Sequence, residues 1–195
     1  MIPAYFSYLC ILFGFAGSFY YIKDIFRGKA KPNRVSWIFW TIAPFVGVYV
    51  GYKSGVNVPL LISTFTAGFI PFLILIATFF SKDSYWQTTK FDILCGVVSF
   101  IAIIIWIITK NGAVSITFAV LADLFASIPT VIKSWKYSET ENIAPFSFGI
   151  LNQIITFLII TNFSYLNLAF PIYLILINII IILGIKRGQI FRVKK

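Results

Sequence analysis

The sequence predicts an all-α integral membrane protein with seven transmembrane helices: two parallel three-helix bundles joined by a linker helix. Three observations carry that prediction. Hydrophobic residues make up 59% of the 195 residues and charged residues 11%, with a mean hydropathy of +0.93. A soluble domain carries about a quarter charged residues, so this chain cannot cover a water-facing surface, and lipid is its solvent. Apolar stretches of membrane-crossing length recur along the chain, separated by short polar or charged loops. The chain also repeats itself. Ile22-Lys23 closes one apolar stretch and Ser36-Trp37 opens the next, as Ile132-Lys133 and Ser147-Phe148 do in the second half. A third span follows each pair, and one extra span separates the triplets.

The spans fall at 4–22, 36–52, 58–80, 92–109, 114–133, 145–162 and 167–185. Each holds 17 to 23 largely apolar residues, suited to crossing a hydrocarbon core of about 30 Å as helix. Backbone groups in lipid must be satisfied within the segment, which selects helices; barrel strands are shorter and alternate in polarity. Span 1 follows Met1 without a basic run or a small-residue cleavage site, so it reads as a retained helix and not a signal peptide. Span 2 opens on Trp37 and Trp40 and carries Pro44; span 3 carries Thr64, Thr66 and Gly68. Span 5 holds Asp123 and Pro129, span 6 opens on Pro145 and holds Asn152 and Gln153, and span 7 holds Asn178. Cys10 and Cys95 lie inside spans, so no disulfide framework is implied. The domain boundaries that follow are 1–82 for the first bundle, 83–112 for the linker helix, and 113–195 for the second bundle with a basic tail.

The sixteen basic residues predict the orientation. Lys23, Arg27, Lys29, Lys31 and Arg34 lie in the first loop, Lys82 and Lys90 in the third, Lys133 and Lys136 at the fifth, and Lys186, Arg187, Arg192, Lys194 and Lys195 in the tail. Only Lys53 and Lys110 fall on the opposite side. The positive-inside rule then puts the N-terminus outside and the C-terminus in the cytoplasm, in an inner or plasma membrane of bacterial type. The net charge of +10 is thus a topology signal that also suits anionic lipid headgroups, and no nucleic-acid partner is expected. Two triplets joined directly would point in opposite directions; the span at 92–109 restores the second to the orientation of the first. The repeats are therefore parallel, related by an axis along the membrane normal.

That organisation resembles the SWEET/PQ-loop superfamily. The stretch Lys31-Pro-Asn-Arg-Val-Ser-Trp-Ile-Phe-Trp40, and Pro129-Thr-Val-Ile-Lys133 with Glu139-Thr-Glu-Asn142, is similar to small bacterial members of that superfamily. The Pro-Gln dipeptide of PQ-loop proteins is absent: Pro129-Thr130 stands in its place in the second repeat and Phe19-Tyr20 in the first. The resemblance implies a midplane pocket between the bundles, asparagines and tryptophans near the solute, and hinge prolines, for which Pro44, Pro129 and Pro145 are the candidates.

Among the six acids, Asp123 alone stands near the middle of a span. A carboxylate there costs at least about 2.5 kcal/mol on insertion scales, so it should face the bundle interior or water. It is a candidate proton-coupling or solute-binding group, against a structural role bonded to a neighbouring helix. Ser127 and Thr130 continue a narrow polar face from it. Asn152, Gln153 and Asn178 offer amides that both donate and accept, suited to hydroxyl-rich or nucleobase-like ligands, or simply to interhelical bonds. Trp37 and Trp40 read first as interfacial anchors, with Trp40 also a candidate lid or stacking surface. Thr64 completes the candidate solute-binding set.

The function expected is transport of a small polar or neutral solute, sugar-like or similar, by alternating access between the bundles. The alternatives are a nucleoside or vitamin carrier of the same fold and a non-transporting receptor or partner-binding protein. No histidine, metal cluster or phosphate loop points to an enzyme or a cofactor. The expected partners are the bilayer, the solute and, optionally, a second copy of the chain.

Overall fold

A computed structural model describes residues 3–53, 58–81, 86–109 and 111–192. Met1, Lys82, Asp83, Lys110, Lys194 and Lys195 lie outside the described residues, as does the side chain of Arg192. The described chain is a largely apolar all-α bundle. After a 3-10 turn at Ala4–Ser7 come α1 (Tyr8–Phe26), α2 (Arg34–Lys53), α3 (Val58–Phe80), α4 (Lys90–Ile108), α5 (Gly112–Lys136), α6 (Ala144–Ile159) and α7 (Tyr165–Arg192). Five of them are long and apolar enough to cross a membrane. Side chains such as Leu12, Phe80 and Ile108 stay 65, 75 and 69% exposed. Such a surface is stable only in contact with lipid, which makes the chain an integral membrane protein that crosses several times.

Local chemistry sets the helix ends. Thr89 and Asp92 form a reciprocal capping box at the start of α4, and Asn111 Oδ1 accepts the Ala113 and Val114 amides to start α5. Gly28 leaves α1 at φ 69°, a conformation that suits glycine. Three boundaries depart from expectation. Helix α1 continues past Lys23 to Phe26. Helix α7 runs for 28 residues, so Lys186 and Arg187 are helical and not part of a loose tail. Helix α6 stops at Ile159, short of the expected 162, because the carbonyl of Asn162 instead accepts the Ser164 amide and the Asn167 side chain in a turn. Its 16 residues rise about 24 Å at about 1.5 Å per residue.

Helix α3 packs against both α1 and α2, and α7 against both α5 and α6. Helix α4 packs on α5 and α2, while α1 meets α6 and α2 meets α5. The apolar cores follow the same division. Tyr21, Ile25, Trp37, Ile74 and Ala77 join α1, α2 and α3. Phe146, Ile177, Ile181 and Ile185 join α6 and α7, with Leu124 and Val131 of α5 against them. Ala102, Ile103 and Ala122 tie α4 to α5. Trp40 packs against the first two cores and so stands where the triplets meet.

Candidate functional site

A cavity of about 220 Å³ lies among the helices. Helices α1, α2, α3, α5, α6 and α7 all contribute to its wall. Small residues keep the packing around it tight. A Cβ at Gly17 would stand 3.1 Å from Phe148 Cβ and 3.3 Å from Pro145 Cα, so glycine there lets α1 approach α6. Gly68 does the same for α3 against Pro44 of α2.

Asp123 lies on this wall, 8% exposed. Its Oδ2 accepts from the Tyr173 hydroxyl at 2.6 Å and from Ser127 Oγ at 3.1 Å. Ser127, one helical turn beyond Asp123 on α5, in turn accepts the Trp40 indole N–H at 3.3 Å. A donor-only indole is thus held by a hydroxyl whose own hydrogen points to the carboxylate, and α2, α5 and α7 are linked through one chain of bonds.

The amides lie across the cavity. Asn152 and Gln153 of α6 and Asn178 of α7 all line it. Asn178 Nδ2 bonds back to the Leu174 carbonyl at 2.7 Å, and Gly149 makes room for it. Asn152, a residue of the wall, has a buried side-chain oxygen, Oδ1, with no hydrogen-bond partner among the described residues. Buried polar groups are overwhelmingly paired, so an acceptor without a partner at a cavity wall is the pattern of a site that receives something from outside the chain.

Of the other sequence-level candidates, Trp40, Pro44 and Pro145 line the cavity. Pro129 is buried within α5 but is not on the wall. Thr64 is not on the wall either: its methyl is close to Gly47 of α2, while Thr66, two residues on and so on nearly the opposite side of α3, faces the cavity. The tryptophan reading also changes. Trp37 is 3% exposed, packs on Tyr21 at 5.3 Å and meets Trp40 edge-on at 5.0 Å. Neither is an interfacial anchor, because both are turned inward at the junction of the triplets. The second anchor-like group behaves differently: Trp135 is 41% exposed, with the Arg187 guanidinium over its ring.

At the end of α5 beyond Thr130, the junction is closed by polar contacts. Lys133 Nζ meets Glu141 Oε1 at 2.7 Å with both side chains at most 1% exposed, and the Tyr21 hydroxyl donates to the other Glu141 oxygen at 2.6 Å. Asn142 Nδ2 donates to Asp24 at 2.5 Å, the Lys31 amide donates to the Thr140 carbonyl at 2.9 Å, and Thr130 Oγ1 donates to Ser36 at 2.8 Å. All but the Lys133–Glu141 pair join the first 80 residues to the segment after 112. Tyr173 and Tyr21 were not singled out in the sequence, and Lys133 and Glu141 stood there only within the stretches that carry the resemblance, not as a buried pair. Their signal there was weak: a tyrosine in an apolar span, and acids that read as solvated loop residues.

Comparison with protein-family models, with curated proteins and with solved structures finds no match.

Proposed function

We propose that this chain is a membrane transporter of a small polar solute, built as two parallel three-helix bundles (1–82 and 113–195) around a linker helix (83–112), in the manner of SWEET proteins. The observation that carries the reading is Asn152 Oδ1, a buried acceptor without a partner on the wall of a cavity formed by six helices from both triplets. The matching packing orders, α3 between α1 and α2 and α7 between α5 and α6, support the repeat. The charge pattern supports an N-terminus outside and a cytoplasmic C-terminus.

In this reading the solute sits between the bundles at mid-membrane, and rocking of one bundle against the other exposes it to each side in turn. Pro44 on the cavity wall and Pro129 in α5 lie inside helices, where proline removes a backbone hydrogen bond and eases bending, whereas Pro145, in the first turn of α6, removes none and is not such a hinge. The contacts from Ser36–Thr130 to Asp24–Asn142 close the cytoplasmic end, so this conformation is the one shut to the cytoplasm. A nucleoside or vitamin as solute has one observation in its favour: the rings of Trp37 and Trp40 on the wall, which suit stacking on a flat ligand.

The test is flux in proteoliposomes against a panel of sugars, nucleosides, vitamins and amino acids, with thermal stability of the purified protein as the binding readout. A ligand at about ten times its Kd stabilises by about 1.4 kcal/mol. A selective shift lost in Asn152→Ala, with matching flux, supports the transporter. Folded protein with no shift and no flux contradicts it.

A further inference from the structure

If the cavity is the solute site, its wall narrows the solute's chemistry. The hydroxyl donors on that wall are committed to the protein. The hydroxyls of Ser18, Thr66 and Thr156 donate to carbonyls of their own helices at 3.0, 2.9 and 2.9 Å. The Cys10 thiol reaches the Asn152 carbonyl at 3.9 Å, and the Asn178 amide is held by Leu174. Ser127 gives its hydrogen to Asp123, and Trp40 gives its own to Ser127. What these hydroxyls leave is lone pairs, while the side-chain amides of Asn152, Gln153 and Asn178 both donate and accept.

Acceptors are in surplus. Asn152 Oδ1 has no partner. Pro44 and Pro71 remove the amides that would otherwise bond the carbonyls of Trp40 and Ala67 four residues earlier, and all four residues line the cavity. Asp123 adds a carboxylate, while among the described residues no lysine or arginine lines the cavity, and the chain has no histidine. The nearest basic residue on α5, Lys133, is about 15 Å along the helix axis and is paired with Glu141. A carboxylate buried in the membrane without a counter-charge is costly. Trp37, Trp40 and Phe146 belong to the same wall, and aromatic rings attract a cation.

We propose that the cavity takes a small organic cation with N–H donors: a primary ammonium on a ring-bearing or hydroxylated body. Asp123 is its counter-charge, and Asn152 Oδ1 accepts one of its donors.

Two charge series on the purified full chain test this by thermal shift: tyramine, tyrosol and 4-hydroxyphenylacetate, then glucosamine, glucose and glucuronate. In the first series only the group at the chain end changes in kind; in the second the amine stands at C2 and the carboxylate at C6 of the same sugar ring. Half-maximal shift is expected at least tenfold lower in concentration for an amine than for its alcohol, with no shift from the acids. Asp123→Asn is expected to bring amine and alcohol within about a factor of two. Alcohols that match or surpass amines in the natural chain would overturn the proposal, as would an amine preference that survives Asp123→Asn. The natural chain alone decides the charge rule if the variant does not fold. Alcohols that bind with dependence on Asn152 would overturn the cation and leave the cavity reading intact; silence from all six probes on folded protein would overturn both.

Discussion

Helix α5 carries two buried charges, Asp123 and Lys133, in very different settings. Lys133 is paired: Glu141 at 2.7 Å, the Thr140 carbonyl at 3.2 Å, and the Trp86 ring over it at 5.5 Å. Tyr21 caps the remaining Glu141 oxygen, so this group has no room for anything else. Asp123 has only neutral partners, the Tyr173 and Ser127 hydroxyls and the Trp40 indole N–H, with no lysine or arginine on its cavity among the described residues and a cavity in front of it. Both groups connect the triplets, but the first is complete within the chain and the second is not. A self-sufficient polar group holds structure; one that is open on one side is arranged for a ligand.

The largest way to break that comparison is at the paired site. Glu141→Gln leaves Lys133 buried with a neutral neighbour and is expected to destabilise the protein by about 3–5 kcal/mol, read from thermal or denaturant unfolding in detergent. The double variant Lys133→Met with Glu141→Leu should recover most of that loss, since no charge is then left alone. A single variant as stable as the natural chain would show that the pair holds nothing.

Next comes the contact that sets the spacing of the triplets. Gly17→Ala places a methyl against Phe148 Cβ and Pro145 Cα, neither of which can swing away. It is expected to cost about 1–3 kcal/mol and to widen or misalign the cavity. Unfolding together with Asn152-dependent binding measures both effects.

Asp123→Asn sharpens the contrast with Glu141→Gln. Its Oδ1 can still accept from Tyr173 and Ser127, and a buried charge is removed. Stability is expected to change by less than about 1 kcal/mol, while binding of amines is lost. A large stability loss would make Asp123 a structural group of the Lys133 kind. The smallest effect belongs to Trp40→Phe, which keeps the ring and deletes the bond to Ser127: about 0.6 kcal/mol, typical of a side-chain bond between membrane helices.

The helices were legible because lipid forces apolar length and internal backbone bonding, so composition alone marks them. Their ends were less so. Asn162 as a turn acceptor and the extension of α7 through Lys186 and Arg187 depend on local bonds that hydropathy does not register. Asp123 stood out because a mid-span carboxylate is rare, and Asn152 and Asn178 because amides are conspicuous among isoleucines. Tyr173 did not, since a tyrosine reads as another aromatic until its hydroxyl is seen to meet a carboxylate 50 positions away. Glu141 and Lys133 read as solvated loop and helix-end charges. Only the folding of the 137–142 segment back against α1 shows that both are buried. Sequence chemistry finds the odd residue in a uniform background, and it misses pairs that become unusual only through contact.

The most direct measurement uses the two native cysteines, neither of them in a disulfide. Both are 4% exposed, but Cys10 lines the cavity while Cys95 lies in α4, away from it. The rate of alkylation by N-ethylmaleimide would be measured on folded protein for Cys10 in Cys95→Ala and for Cys95 in Cys10→Ala. If the space between the triplets is a path that solutes enter, Cys10 reacts at least tenfold faster, and a bound ligand slows it. Equal rates for the two thiols, or a faster Cys95, would contradict the account.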